Sequence, residues 1–458
     1  MLNVVRNVVQ KDLCSGCGVC AGVCPTDALS MKIQENGDLT PSVDVVLCRD
    51  KCHMCLDICP FSQGLYNPRE RNTELFNLTS DTKYDADIGW FSDCFVGYRR
   101  DETLRKNSSS GGLATWCLEG LLKRGLVTCV AVTRIARNKD KGFFEFYAAS
   151  SVDELRQSAG SIYHPVELSE IVKEITADRS KRWAIIGVPC LCTAIRNSVQ
   201  LKKTVPFVLG LACGMYQNTY YTEFLLSKSG VNRTNIKKIE YRRKSDGGPP
   251  SDYRFRGTDN RGTGKEVPYR GLPFYLGKNA YFRLNACNSC MDVFSEMADA
   301  CFMDAWLPAY YQEPKGTSLV VVRNRNLIEL LREGQIRGEI SIDKICPEEV
   351  VESQRGHVRR KRELIYMRRG MREPDDTGRA KPTAMEKIIW LLQRHAQNRS
   401  KRAWVKYGRK YGRLAFWLAI VDVLFMQSIT TIVWKANQLP GRLIRKYRDI
   451  LSRMKGKE

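Results

Sequence analysis

The chain has 458 residues, of which 43% are hydrophobic and 27% charged, so it is long enough for two or three domains and too apolar for a disordered protein. Its four histidines, too few to favour a histidine-centred hydrolase, are His53, His164, His357 and His395. The formal net charge is +23, but from Arg399 onward 15 Lys/Arg face three acidic residues. Charge gathered in a tail is more typical of a solvated or membrane-facing segment than of a surface that binds nucleic acid.

The cysteine content indicates metal chemistry in a reducing compartment. Eighteen cysteines would be enough for a disulfide scaffold. However, the chain opens MLNVVRNVVQKDLCSGC, with no apolar signal core before the first cysteine. Thiols of a protein that is not exported stay reduced, and clustered thiols then serve as metal ligands. We therefore expect a cytoplasmic metalloprotein.

Composition divides the chain into four zones. Residues 1–66 hold two cysteine runs, and residues 67–90 are polar and poorly periodic and are predicted to be a linker. Residues 91 to about 350 alternate short apolar runs with helical stretches. Residues 351–458 are predicted to be a basic, mostly helical tail with a break near 373–382.

The third zone predicts strands that alternate with helices. The predicted strands are 126–134, 183–190, 206–214 and 318–324, and the predicted helices are 111–125 and 222–230. Each helix closes with a glycine, as helix C-termini commonly do. Strands separated by helices favour an α/β or α+β core. The expected architecture is a ferredoxin-like two-cluster module, then this core, then the basic helical tail.

The N-terminal cysteines have the spacing of a two-cluster ferredoxin. The first run, C-x2-C-x2-C-x3-C-P, and the second run, C-x3-C-x2-C-x3-C-P, comprise Cys14, Cys17, Cys20 and Cys24, and Cys48, Cys52, Cys55 and Cys59. In such ferredoxins the fourth cysteine of each run binds the other cluster. We therefore predict one [4Fe–4S] cluster on Cys14, Cys17, Cys20 and Cys59, and a second on Cys48, Cys52, Cys55 and Cys24. Zinc knuckles, the alternative, usually lack the third cysteine two residues on.

Further cysteines lie at or near the ends of apolar, strand-like runs, where loops gather ligands at the edge of a sheet. They are Cys190 in GVPC, Cys213 in ACG, Cys287 and Cys290 in CNSC, and Cys301. Buried core thiols are the alternative, because free cysteine is often buried. That alternative suits the cysteines without a cysteine neighbour, which are Cys94, Cys117, Cys129 and Cys346.

Several short motifs resemble one family in their order along the chain. They are SSSGG (108–112), AGSIYHPVE (159–167), GVPCLCTAIR (187–196), LACG (211–214), YRRK (241–244) and CNSCMDVFSEMADACFMDAW (287–306). Together they resemble the β subunit of coenzyme F420 hydrogenases and dehydrogenases, a family related to 7-hydroxymethyl chlorophyll a reductase. Many members also carry an N-terminal two-cluster ferredoxin module. The resemblance implies a core in two parts, residues 91–175 and 176–350.

The resemblance also implies cofactors and their residues. One further [4Fe–4S] cluster would be bound by Cys190, Cys213, Cys287 and Cys290, while Cys192 and Cys301 remain alternatives that the residues alone do not exclude. An FAD would lie along Ser109, Ser110, Gly111 and Gly112, where a glycine-rich turn that opens a helix offers backbone N–H groups to a diphosphate. Read without the resemblance, SSSGG is equally well a polar helix start. Gly160, Ser161 and Tyr163 match a second flavin-proximal motif.

Two residues depart from the family pattern. Ile162 stands where members commonly have Lys, which weakens the expectation that deazaflavin F420 is the substrate, because a cationic partner is missing. Met303 stands where members commonly have Gly, which places a tight turn near Asp304 in question.

These features together predict an iron–sulfur flavoprotein oxidoreductase. It would transfer electrons through FAD between a ferredoxin-type one-electron carrier and a two-electron organic substrate or deazaflavin. The expected partner is a redox protein of ferredoxin or hydrogenase/dehydrogenase type. Arg242, Arg243 and Lys244 have two interpretations. They bind an acidic substrate, or they form a solvated basic loop, which is the commoner role of such a run. The alternatives are an electron carrier without its own substrate and an accessory protein of cell-surface polysaccharide biosynthesis; no nucleic-acid-binding motif is recognised.

The tail contains an apolar stretch, residues 414–434, that is long enough to cross a bilayer. Asp422 near its middle makes insertion costly, by roughly 2.5–3.5 kcal/mol. Basic residues flank both of its ends, so the charges do not orient a single span. Peripheral attachment to the inner face of the membrane, a soluble packing helix and a true span therefore remain as alternatives, in that order of preference.

Overall fold

A computed structural model describes residues 2–76, 82–139, 142–158, 160–244, 248–249, 251–269, 279–370 and 381–429. The chain divides into two compact units. The first comprises Met1–Leu272 and Arg283–Ala380, and the second comprises Pro273–Phe282 and Lys381–Glu458. All eighteen cysteines belong to the first unit.

Within the described residues of the first unit, eight strands form one mixed sheet. In order across the sheet they are β15 (Ile340–Lys344), β5 (Asp93–Arg99), β14 (Ser318–Val322), β13 (Ala300–Asp304), β9 (Phe207–Leu211), β8 (Trp183–Gly187), β6 (Cys129–Ile135) and β7 (Phe144–Ala149). The neighbours β13, β9, β8 and β6 pair in parallel, and the strands at both edges pair antiparallel. The four strands predicted from the sequence are confirmed, as is the mixed α/β class.

The sheet is buried on both faces. In β6 the side chains of Val130 and Val132 enter one hydrophobic cluster and that of Ala131 enters another, because successive side chains of a strand point to opposite faces. Residues of α5 (Leu113–Lys123) and α10 (Arg325–Ile336) join the first of these clusters, and residues of α7 (Ser169–Ala177) and α8 (Pro189–Asn197) join the second. Both faces are therefore covered by helices.

The two predicted helices end as the sequence indicates. Helix α5 ends just before Gly125, whose φ is +63°, and α9 (Thr219–Ser229) ends at Gly230, whose φ is +78°. Glycine adopts this left-handed conformation without a steric penalty. Helices α4 (Glu102–Asn107) and α6 (Val152–Gln157) follow β5 and β7 in the chain.

The N-terminal module packs directly on the core. It contains the hairpin of β1 (Leu29–Ile33) and β2 (Leu39–Val43) and the short helices α1 (Val19–Gly22) and α2 (Met54–Asp57), each inside a cysteine run. Val19 of α1 shares a hydrophobic cluster with Val172 of α7 and Leu191 of α8. At Gly22 an added Cβ would lie 2.5 Å from the Cβ of Val172, so α1 and α7 approach too closely for any side chain there.

The segment predicted to be a linker contains regular structure. Helix α3 (Arg69–Phe76) and the hairpin of β3 (Lys83–Asp85) and β4 (Gly89–Phe91) lie within residues 67–90. The buried Asn72 side chain donates to the carbonyl oxygen of Glu296 at 2.5 Å and accepts from the backbone N–H of Trp90 at 2.8 Å. The polarity of this segment thus serves tertiary hydrogen bonds, which hydrophobic periodicity does not reveal.

Further elements complete the described part of the first unit. An antiparallel sheet runs β10 (Ile236–Lys244), β11 (Tyr253–Asp259) and β12 (Glu266–Pro268). The chain then continues past β15 through α11 (Pro347–Ser353), α12 (Arg355–Val358), a π-helical turn (Arg359–Glu363) and α13 (Ile365–Arg369). This basic stretch is helical, as predicted.

The second unit is helical over its described residues. Helices α14 (Ala384–Ala403) and α15 (Arg409–Ala419) flank a π-helical turn (Trp404–Gly408), and residues 421–429 are also helical. Phe416 stacks on Phe282 at 5.9 Å and meets Trp404 edge-on at 5.4 Å. By length and composition, the helical stretch Ala384–Ile429 could cross a membrane. Most of the predicted break at 373–382, and residues 430–434 of the apolar stretch, fall outside the described residues.

The position of Gly111 generates a test of the fold. A Cβ there would lie 2.6 Å from the carbonyl oxygen of Gly97 in β5 and 2.8 Å from the backbone nitrogen of Ser318 in β14. Gly111→Ala should therefore lower the free energy of unfolding by about 3 kcal/mol or more, because backbone atoms cannot move aside. Gly356→Ala is the control, since no atom lies within 4 Å of its added Cβ. Equal stability of the two variants in chemical denaturation would contradict this close approach.

Candidate metal and cofactor sites

The first predicted cysteine set converges around the loop that precedes α1. Gly16 and Gly18, with φ of +75° and +77°, turn the chain, and the backbone N–H of Gly16 lies 3.4 Å from the Sγ of Cys14. Burial, followed by the neighbouring thiols, raises the pKa of Cys20. The neighbours of Cys20 that contribute include Cys17, Cys14 and Cys59. Cys59 of the second run thus lies with the first run, as the crossed assignment requires.

The second predicted set lines a cavity open to the surface. Cys24, Cys48, Cys52 and Cys55 all line it, together with Pro25 and neighbouring residues. Burial raises the pKa of Cys55, and the thiols of Cys52, Cys48 and Cys24 raise it further. The additional residue between Cys48 and Cys52 therefore does not separate these side chains.

The third set is assembled from three separate loops. Cys190 lies in the first turn of α8, after Pro189 at the first helical position; Cys213 follows β9; Cys287 and Cys290 lie in and just after a 3-10 turn (Asn285–Ser289). Burial raises the pKa of Cys213 to about 12, with Cys287 and Cys290 among the further causes. Cys290 and Cys213 likewise raise the pKa of Cys190, after burial. The structure thus brings together the four cysteines that the family motifs indicated.

The two alternative ligands belong to the core. The thiol of Cys192 donates to the carbonyl oxygens of Gly187 at 3.5 Å and Leu209 at 3.6 Å, inside the sheet–helix interface. Cys301 lies in β13 and is fully buried in a cluster of apolar side chains. Neither cysteine is drawn into the set of Cys190, so we assign both a packing role.

The remaining cysteines differ in burial. Cys94, Cys117 and Cys129 are buried core residues, as expected. The expectation was wrong for Cys346, which is exposed and precedes α11, with its Sγ 3.3 Å from a carboxylate oxygen of Glu349. The sequence held a signal for this exposure, because Cys346 directly precedes the polar start of a helix and does not lie in an apolar run.

The donor chemistry of the three sets fits iron–sulfur cubes. Among the residues that the structure describes, no three Cys, His, Asp or Glu side chains converge tightly enough to hold a single metal ion. A cube places each thiolate on a different iron, so its ligands surround the cluster and do not share one ion. Because burial raises the pKa of these thiols, cluster binding has to displace their protons.

Ser15 joins the first and third sets. Its hydroxyl lies close to the thiols of both Cys17 and Cys190 and favours their ionised forms, although burial raises the pKa of each. Among the charged groups that act on Cys190, Cys17 has the largest effect on its pKa. The first and third candidate clusters are therefore adjacent, with one hydroxyl between them.

The predicted flavin turn, residues 108–112, lies where the main sheet meets the loop before β14. The hydroxyl of Ser110 donates to the carbonyl oxygen of Thr317 at 2.8 Å. Gly112, with φ of +85°, immediately precedes α5, whose first backbone N–H groups lack intrahelical acceptors. The Oγ of Ser109 is buried and has no hydrogen-bond partner among the described residues. A buried hydroxyl without a partner, beside a helix N-terminus, fits a turn that binds a polar ligand.

Lys244 lies against this turn. Its Nζ donates to the carbonyl oxygens of Arg105 at 2.8 Å, Ser110 at 3.0 Å and Lys315 at 2.5 Å. Burial, followed by the charges of Arg242 and Arg105, lowers the pKa of Lys244 to about 7, while the carbonyl oxygens favour its protonated form. An anion bound at this turn would therefore also favour protonation of Lys244.

Arg242 joins the second flavin motif to the same place. Its guanidinium forms two bonds of 2.9 Å to the carboxylate of Asp304 and lies 4.0 Å from the ring centroid of Tyr253. Tyr163 lies half-buried beside these groups; burial raises its pKa, and Arg242 and Ser161 oppose that shift. Arg242 and Lys244 are two residues apart on β10, so their side chains face the same side of the strand. Arg242 contacts the motif of Ser161 and Tyr163, and Lys244 contacts Ser110, so the two flavin motifs lie close together.

The solvated-loop interpretation of YRRK is therefore wrong for Arg242 and Lys244, which are largely buried on a strand. Arg243 is exposed, as that interpretation expects, but it also lies on β10 and not in a loop; it points to the opposite face and pairs with Glu266 at 2.8 Å and Glu240 at 3.8 Å. The alternation of a strand, which the sequence analysis did not assign to these residues, would have separated the two faces.

Sequence reasoning missed Tyr216. Its backbone N–H lies 3.2 Å from the Sγ of Cys287, and its hydroxyl donates to the carbonyl oxygen of His164 at 2.7 Å. His164 is next to Tyr163, so Tyr216 spans the distance between the third cysteine set and the second flavin motif. Its place three residues after Cys213 was the available signal.

Sequence models of protein families match the chain in three places. Two models, described as coenzyme F420 hydrogenase/dehydrogenase beta subunit N-term and C terminus, match residues 94–173 and 180–348. The chain belongs to the coenzyme F420 hydrogenase/dehydrogenase beta-subunit family. A 4Fe-4S binding domain matches residues 8–30, which contain the first cysteine run. This member of the family is thus an iron–sulfur oxidoreductase with a ferredoxin-like module, and the resemblance drawn from the sequence is confirmed.

Individual relatives are distant. This chain is 24% identical over 311 residues to a subunit of the F(420)H(2) dehydrogenase of Methanosarcina mazei, a match that covers 64% of this chain and 76% of the relative. It is 23% identical over 273 residues to an uncharacterized protein of Methanocaldococcus jannaschii, covering 52% and 69%. A chain of the F420-reducing [NiFe] hydrogenase complex from Methanosarcina barkeri matches with a TM-score of 0.48 and 18% identity, over 64% of this chain and 99% of that chain.

The cysteine geometry generates a test by iron content. Anaerobically purified protein should contain about 12 iron and 12 sulfide, because each of three cubes holds four of each. Cys190→Ala should lose about four iron and leave the spectra of the N-terminal clusters intact. Cys192→Ala, a buried cysteine two residues away, is the matched control and should keep all its iron. About eight iron in the unaltered protein would contradict the third site, and zinc in place of iron would contradict all three.

Proposed function

We propose that this protein transfers electrons between a one-electron partner protein and a two-electron organic substrate, using three [4Fe–4S] clusters and one FAD. The observation that carries the proposal is the continuity of the sites: Ser15 contacts the first and third cysteine sets, and Tyr216 extends from the third set to the flavin motif. FAD exchanges two electrons with an organic molecule and single electrons with iron–sulfur clusters, so it converts between the two.

The residues of the chain would divide the work as follows. The twelve cysteines bind the clusters, and the crossing of Cys24 and Cys59 ties the two N-terminal sites together. Gly112 and the first turn of α5 offer backbone N–H groups to the diphosphate, and Ser109 supplies a hydroxyl. Lys244 holds the turn in place through its carbonyl oxygens. The bidentate pair of Arg242 and Asp304 would hold the side of the site beside Tyr163.

The substrate proposed is a two-electron organic molecule, with a deazaflavin as one candidate. The Methanosarcina mazei relative belongs by name to a dehydrogenase of F420H2, which favours a deazaflavin. Ile162 does not supply the cation that members commonly have there, so an anionic substrate would depend on Arg242 and Lys244. Protonated Lys244 suits such an anion, because burial has already removed competing water from its surroundings.

The one-electron partner would dock near the second cysteine set, whose cavity opens to the surface. Val45, Val46 and Leu47, immediately before Cys48, are exposed, with 88% of the Val46 surface accessible. Asp44, Arg49, Asp50 and Lys51 flank this patch and are also exposed, so charges of both signs adjoin it. An exposed apolar patch of this kind favours docking of a partner protein.

Flavin binding tests the enzyme assignment. Denaturation should release non-covalently bound FAD, identified by chromatography. Lys244→Met should lower the amount of FAD bound, because the turn at Ser110 loses its cation and a hydrogen-bond donor. Arg243→Met, on the opposite face of β10, should bind as much FAD as the unaltered protein. Well-folded, iron-replete protein that neither retains nor takes up FAD would instead be an electron carrier without its own substrate.

We also propose that the second unit attaches peripherally to an anionic membrane. Leu414, Leu418, Val421, Phe425 and Ile429 are exposed and recur every three or four residues, which forms one apolar stripe along the helix. The carboxylate of Asp422 is held by His395 at 3.0 Å and Arg399 at 3.6 Å, so its charge is compensated beside that stripe. Exposed basic residues adjoin the stripe; they are Arg409, Lys410 and Arg413.

Cell fractionation tests this attachment. Full-length protein should sediment with membranes at low salt and be released by high salt or carbonate, since each interfacial Lys or Arg contributes about 1 kcal/mol. Leu414→Glu with Leu418→Glu should remove the association. Ile336→Glu, an equally exposed apolar site in the first unit, should not. Protein that stays soluble at low salt would contradict attachment, and protein that resists carbonate would favour a span.

A further inference from the structure

A basic segment, residues 360–369, is laid over the loops of the third cysteine set. Its cationic side chains donate to those loops: Arg360 to the carbonyl oxygen of Gly214 at 3.2 Å, Lys361 to those of Cys213 at 3.2 Å and Asp292, Arg362 to that of Met291 at 3.1 Å, Arg368 to that of Cys287 at 3.3 Å, and Arg369 to the Oγ of Ser289 at 2.8 Å. Lys361 donates to both loops at once, the loop of Cys213 and the loop of residues 287–292. We call these residues the basic clamp.

The backbone buries the central residues of the clamp. Residues 359–363 form a π-helical turn, in which the N–H of Leu364 bonds to the carbonyl oxygen of Arg359 at 3.0 Å. Such wide turns occur often at functional sites. Here the turn places the consecutive residues Lys361 and Arg362 inside the protein, each with only 2% of its surface accessible.

The charges of the clamp are balanced differently from residue to residue. Arg362 forms an ion pair with the buried Glu296. Among the described residues, neither Lys361 nor Arg360 forms a salt bridge with a carboxylate. Burial disfavours the charged form of Lys361, but the thiols of Cys290 and Cys213, followed by Asp292, outweigh it and raise the pKa above its ordinary value. The charge of Lys361 therefore faces the cysteines themselves.

The surroundings of the first set have the opposite sign. The carboxylates that act on it are Asp38, which affects Cys14, and Glu167, which affects Cys17. Reduction adds one negative charge to a cluster. A nearby buried cation stabilises the reduced form, and a carboxylate destabilises it, more strongly in a buried site than in water. Two adjacent clusters of the same type would thus differ in reduction potential.

We propose that Lys361 is a positioning residue that ties the Cys213 loop to the Cys287–Cys290 loop and, together with Arg360, raises the reduction potential of the third cluster above that of the first. One electron leaves the first cluster, which is oxidised, and enters the third, which is reduced; no proton or bond is exchanged. Electrons would then collect at the cluster beside Tyr216 and the flavin motif. The inference rests on the proposed function, since it requires a cluster at the third site.

The test is a redox titration of the full-length protein followed by electron paramagnetic resonance, with iron counted in each variant. The signal that Cys190→Ala removes identifies the third cluster. Lys361→Met should lower the ratio of reduced to oxidised third cluster by about tenfold or more at a fixed potential. For a one-electron centre this corresponds to about 59 mV toward more negative potential. The first and second clusters should keep their potentials.

Control variants separate charge from packing. Lys361→Arg keeps the charge and should keep most of the potential. Arg355→Gln removes an exposed cation of α12, just before the clamp, where Arg355 pairs with Glu363 at 2.8 Å; it should leave the potential unchanged. Arg360→Gln, which does not join the two loops, should also lower the potential. This variant decides the question if Lys361→Met fails to retain the cluster, and that loss would itself support the tie between the loops.

The outcomes distinguish this inference from the proposed function. If the unaltered protein lacks a third cluster, the proposed function fails and the inference fails with it. If the third cluster is present but neither Lys361→Met nor Arg360→Gln shifts its potential, the inference alone is overturned. A third cluster that titrates below the first in the unaltered protein would overturn it as well.

Discussion

The first cysteine loop lies directly against the starts of helices α7 and α8, and the rest of the proposed electron-transfer arrangement depends on this contact. The backbone N–H of Leu168, at the start of α7, bonds to the carbonyl oxygen of Cys17 at 2.9 Å, and Ser15 lies close to both Cys17 and Cys190 of α8. At Gly18 an added Cβ would lie 2.4 Å from the carboxylate of Glu167, so the loop tolerates no side chain there. Electron transfer between buried centres weakens steeply with distance. Packing of the N-terminal module into the hydrophobic cluster of the core keeps that distance short.

Charge is the second constraint, and it differs along the path. Removing an ion from water costs several kcal/mol, so a buried cation is retained where a compensating charge faces it. Glu296 compensates Arg362. For Lys361 and Arg360 the facing groups are the cysteines, whose clusters carry net negative charge when bound. Lys361, Arg362 and Arg368 contribute to the net charge of +23 but are buried, so they do not form a surface for nucleic acid.

The sequence predicted what depends on local spacing. The cysteine runs, the main strands and the glycine ends of α5 and α9 follow from short-range geometry, because a tight loop or a helix end is defined within a few residues. It did not predict the regular structure within residues 67–90, because Asn72 is stabilised by partners at Trp90 and Glu296 that no periodicity encodes. It likewise treated residues 355–369 as part of a tail. Their role depends on contacts with residues 213–214 and 287–292, which are far away in the chain. The four cysteines of the third set were candidates from their positions at strand ends, but only the family motifs separated them from Cys192 and Cys301.

The flavin motifs illustrate how weak local signals become specific in three dimensions. SSSGG and the stretch around Tyr163 are far apart in sequence, and each alone is compatible with an ordinary helix start or loop. Strand β10 connects them, because Lys244 reaches Ser110 while Arg242, two residues earlier on the same face, reaches Tyr163 and Asp304. Tyr216 then connects this group to the third cysteine set. Its backbone N–H donates to Cys287, and its hydroxyl donates to the carbonyl oxygen of His164. Tyr216 thus orients both the loop of Cys287 and the second flavin motif. In the proposed path, the final step, from the third cluster to the flavin, would therefore lie in the core of the first unit.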